Sequence, residues 1–337
     1  MKTGLPNLLG TLIRDYFTDH LPRLRGMSPH TIHSYRDSLV LLLRFVASNR
    51  KVQVCDLDFD DIEPNRVLAF LAHLERDRHN CVTTRNVRLA AIHAFSRYVA
   101  AHHPDQIESA QRLLGVPFKR ASQRVIEYLE RGEIEAVLAR IDRSVVNGRR
   151  DYALLATMFN TGARVQEVVD LRARDLQLSR PYQLRLFGKG RKERYCPLWP
   201  QTAQVLRAFC EEQGLDLRSE ARVFLNHRRT PLTRFGVRYI LAKHVDRARS
   251  GVTTLARKRL HPHSMRHSAA VALLKSGVDL STISQWLGHA SPSTTNRYAT
   301  IDLDMKRDAI ARVKPLPGSR KAAWRKNQTV LEWLESL

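Results

Sequence analysis

Residues 261–300 read HPHSMRHSAAVALLKSGVDLSTISQWLGHASPSTTNRYAT. The stretch holds four histidines, two arginines and one tyrosine. Each of these side chains handles a phosphate or a proton. Its punctuation predicts three short helices. One spans residues 264–276 and ends at Gly277, a second spans 281–287 and stops at Gly288, and Ser291-Pro292 opens a third. Glycine after a helix and a cap residue followed by proline before one are the expected stop and start signals. Tyr298 then falls about two turns into the third helix, nine positions after His289. A phenol with a pKa near about 10 needs neighbouring cations or a base before it acts as a nucleophile.

His263 and Arg266 stand three apart and share a helix face. Arg266 reads either as a fork for two phosphate oxygens or as a surface arginine on a capped helix. Arg297 faces elsewhere, as a surface or DNA-backbone base. His263 and His267 have the i,i+4 spacing used for zinc. The glutamate of H-E-x-x-H, a C-x-x-C pair and a third carboxylate ligand are all missing, so no metal or other cofactor is expected.

Outward from this stretch, charge is the dominant global feature. Lys and Arg number 56 against 33 Asp and Glu in 337 residues, a net charge of +23. That balance favours a polyanion, and its spread through folded-looking segments points to nucleic acid over a membrane surface. No apolar run nears the roughly 20 residues that span a bilayer. The N-terminus lacks a signal-peptide layout, because Arg14 and Asp15 interrupt its apolar part. A cytoplasmic, nucleoid-associated protein is expected. Cys55, Cys81, Cys196 and Cys210 form no C-x-x-C pair and read as thiols.

The first hundred residues show helical periodicity and no strand signal. Helices are expected over about 5–21, from Ser28-Pro29, from Pro64, and from Thr83 or Thr84 to the region of His102, forming a small bundle. Bases gather at two helix starts. Arg23, Arg25, His30, His33 and Arg36 surround the second helix, and Arg85, Asn86 and Arg88 open the fourth. Both groups are read as DNA-backbone contacts. The text GVPFKRASQR at 115–124 reads as an exposed linker.

Beyond it, helices are expected over 133–141, 151–159 and 164–171, with Asn160-Thr161-Gly162 as a break. Arg164, just after that break, reads as a surface arginine or as a partly desolvated anion ligand, and Glu167 as a brace for the helix start. Tyr182, Leu184 and Leu186 alternate with Gln183 and Arg185, then GKGRK turns the chain and 194–198 returns. That is a β-hairpin with a basic tip. Lys189 at the tip, or Lys192 in its place, reads as a plain turn lysine or as a mobile cation that enters a DNA groove and donates a proton to a leaving oxygen, and Lys192 is counted with the DNA contacts. Helices over 201–213, 233–249 and 302–313 complete the chain, with a short strand at 223–225.

Taken together, the Thr-Gly-Ala-Arg motif ending at Arg164 with Glu167, Gly-Lys-Gly-Arg-Lys-Glu-Arg, His-Ser-Met-Arg-His, Leu-Gly-His-Ala-Ser and Tyr298 resemble the tyrosine recombinase (phage integrase) family in order and spacing. Ser28–Tyr35 and Thr84–Arg88 are similar to that family's core-binding domain. The resemblance covers residues from about 5 to 312. Met265 stands where the family usually has leucine, a mild apolar change.

The resemblance implies a mainly α protein with a small antiparallel sheet. Its parts would be a SAM-like core-binding bundle over 1–114, a linker over 115–124, a catalytic domain over 125–313 and a tail over 314–337. The bundle would open the chain directly, without an arm-site-binding domain, and the tail would serve a neighbouring subunit. The resemblance further implies that Arg164, Arg266 and His289 hold the scissile phosphate and that Tyr298 attacks it to form a 3′-phosphotyrosyl ester. Lys189 would protonate the leaving 5′ oxygen and His263 would assist proton transfer from the tyrosine, with His267 in support. Neither ATP nor a metal would be needed. The partners would be double-stranded DNA carrying specific core sites and further copies of the chain, or related recombinases, in a tetramer on synapsed DNA. Integration or excision of a mobile element is the expected role. Chromosome or plasmid dimer resolution, type IB topoisomerase-like relaxation and a silent DNA-binding regulator are the alternatives.

Overall fold

A computed structural model describes residues 7–121, 127–188, 192–288 and Tyr298. The chain divides into two compact units, Met1–Arg124 and Val125–Leu337. Helices dominate both, and the described sheet is small and antiparallel, as the fold class required.

The first unit is a helical bundle. Helix α1, Leu8–Asp15, starts on the side chain of Asn7, which accepts from Gly10 N. The single helix expected here does not stop near residue 21. It widens into a π-helical stretch, Tyr16–Leu24, that carries Pro22 inside it. Proline lacks an N–H and crowds the carbonyl four residues back, which a tight α turn tolerates poorly. Helix α2, Pro29–Arg50, begins where Ser28-Pro29 predicts it, with the serine side chain accepting from Thr31 N. Helix α3 is Pro64–Arg76 and α4 is Val82–His102, whose cap is Cys81 rather than Thr83 or Thr84. Helix α5, Ile107–Leu114, has no counterpart in the sequence reading. It buries only Ala110 and Leu113, too short an apolar stripe to stand out, and is held by packing on α4. Leu12, Leu42, Val46, Phe70, Leu89 and Phe95 lie in the core of this unit.

The expected linker is partly fastened to the bundle. Val116 is buried, and Arg85 donates to Pro117 O at 3.2 Å. Asn86 brackets Lys119, donating to its carbonyl at 2.7 Å and accepting from its N–H at 3.2 Å. Residues 117–119 are exposed as expected, but two side chains pin them to the bundle.

In the second unit, α6 is Arg131–Ala139, α7 is Val146–Thr161 and α8 is Val165–Val169. Helix α7 starts earlier than its apolar run, because its first turn is polar. It ends at Gly162, whose φ of +58° gives the left-handed cap that glycine adopts without strain. The sheet has three strands, β1 Leu176–Gln177, β2 Gln183–Phe187 and β3 Glu193–Pro197, in that order. The β2–β3 hairpin was legible from alternation. Strand β1 was not, since two residues show no period. Leu184 pairs with Cys196 and Leu186 with Arg194, so these four share the inner face. Gly188 N donates to Lys192 O at 2.7 Å and closes the hairpin. The strand expected at 223–225 is reduced to isolated bridges at Arg222 and Leu225.

Helix α9 is Pro200–Glu212, α10 is Arg234–Arg249, α11 is Pro262–Lys275 and α12 is Leu280–Leu287. Asp279 caps α12 by accepting from Ser281 N and Thr282 N. Helix α11 is buried around most of its girth and packs on α7 and α12, so it is the axle of this unit. The helices expected from Ser291 and over 302–313, and the tail, lie outside the described residues.

Candidate active site

The site is assembled at helix ends. Glu167, in the first turn of α8, is buried and accepts from Arg164 N at 2.8 Å, the bracing role its position predicted. Its carboxylate also receives Arg164 Nη1 at 2.8 Å and two nitrogens of Arg194, Nη1 at 3.0 Å and Nη2 at 2.7 Å. Burial opposes ionisation of Glu167, but the Arg194 and Arg164 contacts outweigh it and hold the carboxyl below its usual range.

Arg194 was missed by the sequence reading. A signal for it existed. Arg194, Cys196 and Leu198 occupy the inward phase of β3 and its continuation, and a cation in that phase needs a buried anion. Arg194 Nε also donates to Trp286 O at 3.0 Å, tying the hairpin to the last turn of α12.

Arg164 completes the link by donating from Nη2 to Gly288 O at 3.1 Å. Its side chain remains one-third exposed. Gly288 takes a φ of +64°, and a Cβ there would sit 3.1 Å from Arg194 Cδ. A Cβ on Gly188 would lie 3.4 Å from Glu167 Oε1 and 3.7 Å from Arg164 Nη1. The root of the basic hairpin therefore abuts the arginine pair.

Arg266 resolves the choice left open for it. It is 1% exposed, not a surface residue. Nη1 donates to Gly162 O and Nη2 to Leu287 O, both at 2.7 Å. These carbonyls terminate α7 and α12, where the helix dipoles are negative, so one cation satisfies two helix ends. Burial and the Arg164 charge push its pKa down to about 10, with Arg194 acting the same way and Glu167 and Tyr298 opposing them.

Tyr298 is 1% exposed and packs with Ala270, Val271, Leu274, Ile283 and Leu287. Among the described residues, the imidazole that meets its hydroxyl is that of His267, Nδ1 to oxygen 2.7 Å. His263, one turn earlier on α11, instead meets the His267 ring edge-on at 4.6 Å. Burial of the ring, then the Arg266, His261 and Arg164 charges, push His263 down to about 4, although the residue stays open to solvent on one side. It is neutral at neutral pH.

Arg164, His263, Arg266 and Tyr298 thus belong to one neighbourhood. Lys189 and His289 lie outside the described residues, each adjoining a described glycine of the site, Gly188 and Gly288. Lys192 is exposed, and its carbonyl closes the hairpin. Among the described residues no three His, Cys, Asp or Glu side chains gather as a metal-binding group.

The expected DNA contacts of the first unit divide. Arg36 is exposed and pairs with its neighbour Asp37 at 2.8 Å. Arg85 is corrected: it is 3% exposed and donates to Asn86 Oδ1 and Pro117 O, so it holds chain rather than faces solvent. Asn86 is likewise committed to Lys119, and Arg88 donates to Ser38 Oγ at 3.0 Å. At this helix start the chain leaving the bundle takes donors of Arg85 and Asn86, and α2 takes one of Arg88.

Comparison with known proteins agrees with this architecture. Residues 127–304 match the phage integrase family, and residues 15–103 match the phage integrase N-terminal SAM-like domain. The chain is 38% identical over 334 residues to a Sinorhizobium fredii protein, y4rC, described as an integrase/recombinase, covering 98% of each. It is 31% identical over 299 residues to tyrosine recombinase XerC of Pelobacter propionicus, covering 89% of this chain and 94% of that one. Among solved structures, XerH site-specific recombinase bound to a palindromic difH substrate superposes with a TM-score of 0.66 at 20% identity, covering 86% of this chain and 81% of that one. With family matches in both units and full-length relatives, the chain belongs to the phage integrase family of tyrosine recombinases.

Proposed function

We propose that this protein is a site-specific DNA recombinase that breaks and rejoins strands through a 3′-phosphotyrosyl ester on Tyr298. The observation that carries the reading is the phenol set on an imidazole beside the Arg266 guanidinium, with Arg164 one-third exposed nearby. Fixed cations of this kind stabilise the extra charge of a five-coordinate phosphorus transition state without reorganising.

In this reading Arg164, Arg266 and His289 hold the scissile phosphate. The lysine of the hairpin tip, Lys189 with Lys192 as its alternative, protonates the 5′ oxygen as it leaves. The ester conserves the bond energy, so rejoining by the 5′ hydroxyl needs neither ATP nor metal. Four copies on two synapsed duplexes complete the reaction, and integration or excision of a mobile element is its role. The likeness to an integrase/recombinase at 38% supports that role, and the likeness to tyrosine recombinase XerC at 31% keeps dimer resolution as the second reading.

The test begins with a duplex library carrying a randomised core and a nick that traps the ester. The wild-type chain should give an SDS-resistant protein–DNA adduct in EDTA, and Tyr298→Phe should give none. Wild-type protein that never forms an adduct, or a Tyr298→Phe variant that forms it equally, would overturn the reading. Two-site recombination against relaxation of supercoiled plasmid separates a recombinase from a topoisomerase.

A further inference from the structure

We infer that His267 is the proton acceptor for the Tyr298 hydroxyl, a catalytic role for the residue one turn past His263. The inference rests on Tyr298 being the nucleophile. Its geometric basis is the 2.7 Å contact between His267 Nδ1 and the phenol oxygen. The ring centroids are 5.7 Å apart at 60°, an arrangement that brings a ring nitrogen, not a ring face, to the hydroxyl. Tyr298 is 1% exposed, so the imidazole stands where water would otherwise meet its hydroxyl. His267 is itself only half-buried, and His263 covers one side of its ring edge-on at 4.6 Å.

The step balances as follows. The Tyr298 O–H bond breaks and a bond from that proton to His267 Nδ1 forms. The phenol oxygen attacks phosphorus, and the bond from phosphorus to the 5′ oxygen breaks. That oxygen leaves as a hydroxyl, with a proton from a separate donor at the hairpin tip. On rejoining, the 5′ hydroxyl attacks phosphorus and returns its proton to the hairpin-tip donor, the tyrosyl ester bond breaks, and the phenolate recovers its proton from His267. No oxidant, reductant or further reactant enters. His267 as an imidazolium also adds one positive charge near the phosphate while the transition state carries its extra negative charge.

The experiment uses the full chain on the nicked duplex recovered from the randomised library. His267→Gln keeps a hydrogen-bonding side chain but no base of useful strength. It should form the covalent adduct about 100-fold more slowly than wild type, the lower end of what a positioned base supplies. A second pair of proteins, wild type and His267→Gln, carries 3-fluorotyrosine at position 298, whose phenol is more acidic and needs a base less. Within that pair the gap in rate should close to about tenfold or less. Partial misfolding of the variant widens both gaps by the same factor, so it cancels in the ratio of one gap to the other, and His267→Asn repeats the comparison with a different side chain.

Wild-type rates in His267→Gln would overturn the inference and leave the recombinase reading intact. A slow variant whose gap does not narrow with fluorotyrosine would also overturn it, leaving His267 a packing residue. Failure of the wild type to form any adduct would remove both readings together.

Discussion

Arg194 and Glu167 stand 27 positions apart and meet through two hydrogen bonds, at 3.0 and 2.7 Å, with both side chains largely out of solvent. A pair like this gains little over a well-packed apolar pair, but removing one member leaves a buried charge under-compensated, and Glu167 would keep only Arg164. Arg194→Ala should therefore lower stability, by less than the roughly 3–5 kcal/mol of a fully stranded charge, read from chemical denaturation. Arg194→Lys should recover only part of that loss, since an ammonium cannot reproduce the two-nitrogen grip or the bond to Trp286 O.

Gly162 should accept no side chain. Its φ is +58°, and an added Cβ would collide with the Leu287 side chain and lie 3.3 Å from Ala269 Cβ. Left-handed strain of about 1–2 kcal/mol would add to an overpacking cost of about 1–3 kcal/mol. Gly162→Ala should thus lower the melting temperature, and also slow adduct formation, because the Gly162 carbonyl holds Arg266.

Stability should rise with pH across the mildly acidic range, in part through His263. Its folded pKa is pushed down to about 4 by burial and by the Arg266, His261 and Arg164 charges, below an unfolded value of about 6.5. Between those values the unfolded chain binds the extra proton, so acidification favours unfolding. Denaturation midpoints measured from pH 7 to pH 4 should fall less steeply in His263→Gln than in wild type. An equal slope in both would remove His263 as a contributor.

The bases of the first unit should separate into two behaviours. Arg36→Ala removes an exposed cation, and on the DNA-binding reading it should weaken binding on all sequences and reduce the salt slope by about 1. Arg85→Ala should act on the fold instead, because Arg85 secures Pro117. Its signature is proteolysis near residues 117–119 at unchanged salt slope. A changed slope with an intact fold would return Arg85 to the DNA-contacting set.

Local signals made much of the fold legible. Ser28-Pro29 marked the start of α2, Gly162, Gly277 and Gly288 marked breaks, and alternation marked β2 and β3. Each of these is decided within a few residues by backbone sterics, capping or side-chain period. Helix α5, β1 and the π-helical end of the first helix were not legible, because short elements depend on the surface they land on. The site residues were legible as types in an order, and that order carried the family.

What the sequence by itself determined is the chemical inventory and its spacing: a phenol, arginines, histidines and a basic hairpin, placed at helix starts and stops. What only the tertiary structure decided is which partner each side chain takes. Arg266 reaches carbonyls 104 and 21 residues away, Arg194 reaches Glu167, Arg85 holds the chain leaving its bundle, and His267 rather than His263 meets Tyr298. Those choices depend on separations in space that no local period encodes, and on the cost of leaving a buried charge or carbonyl unpaired, which is settled only when distant segments pack.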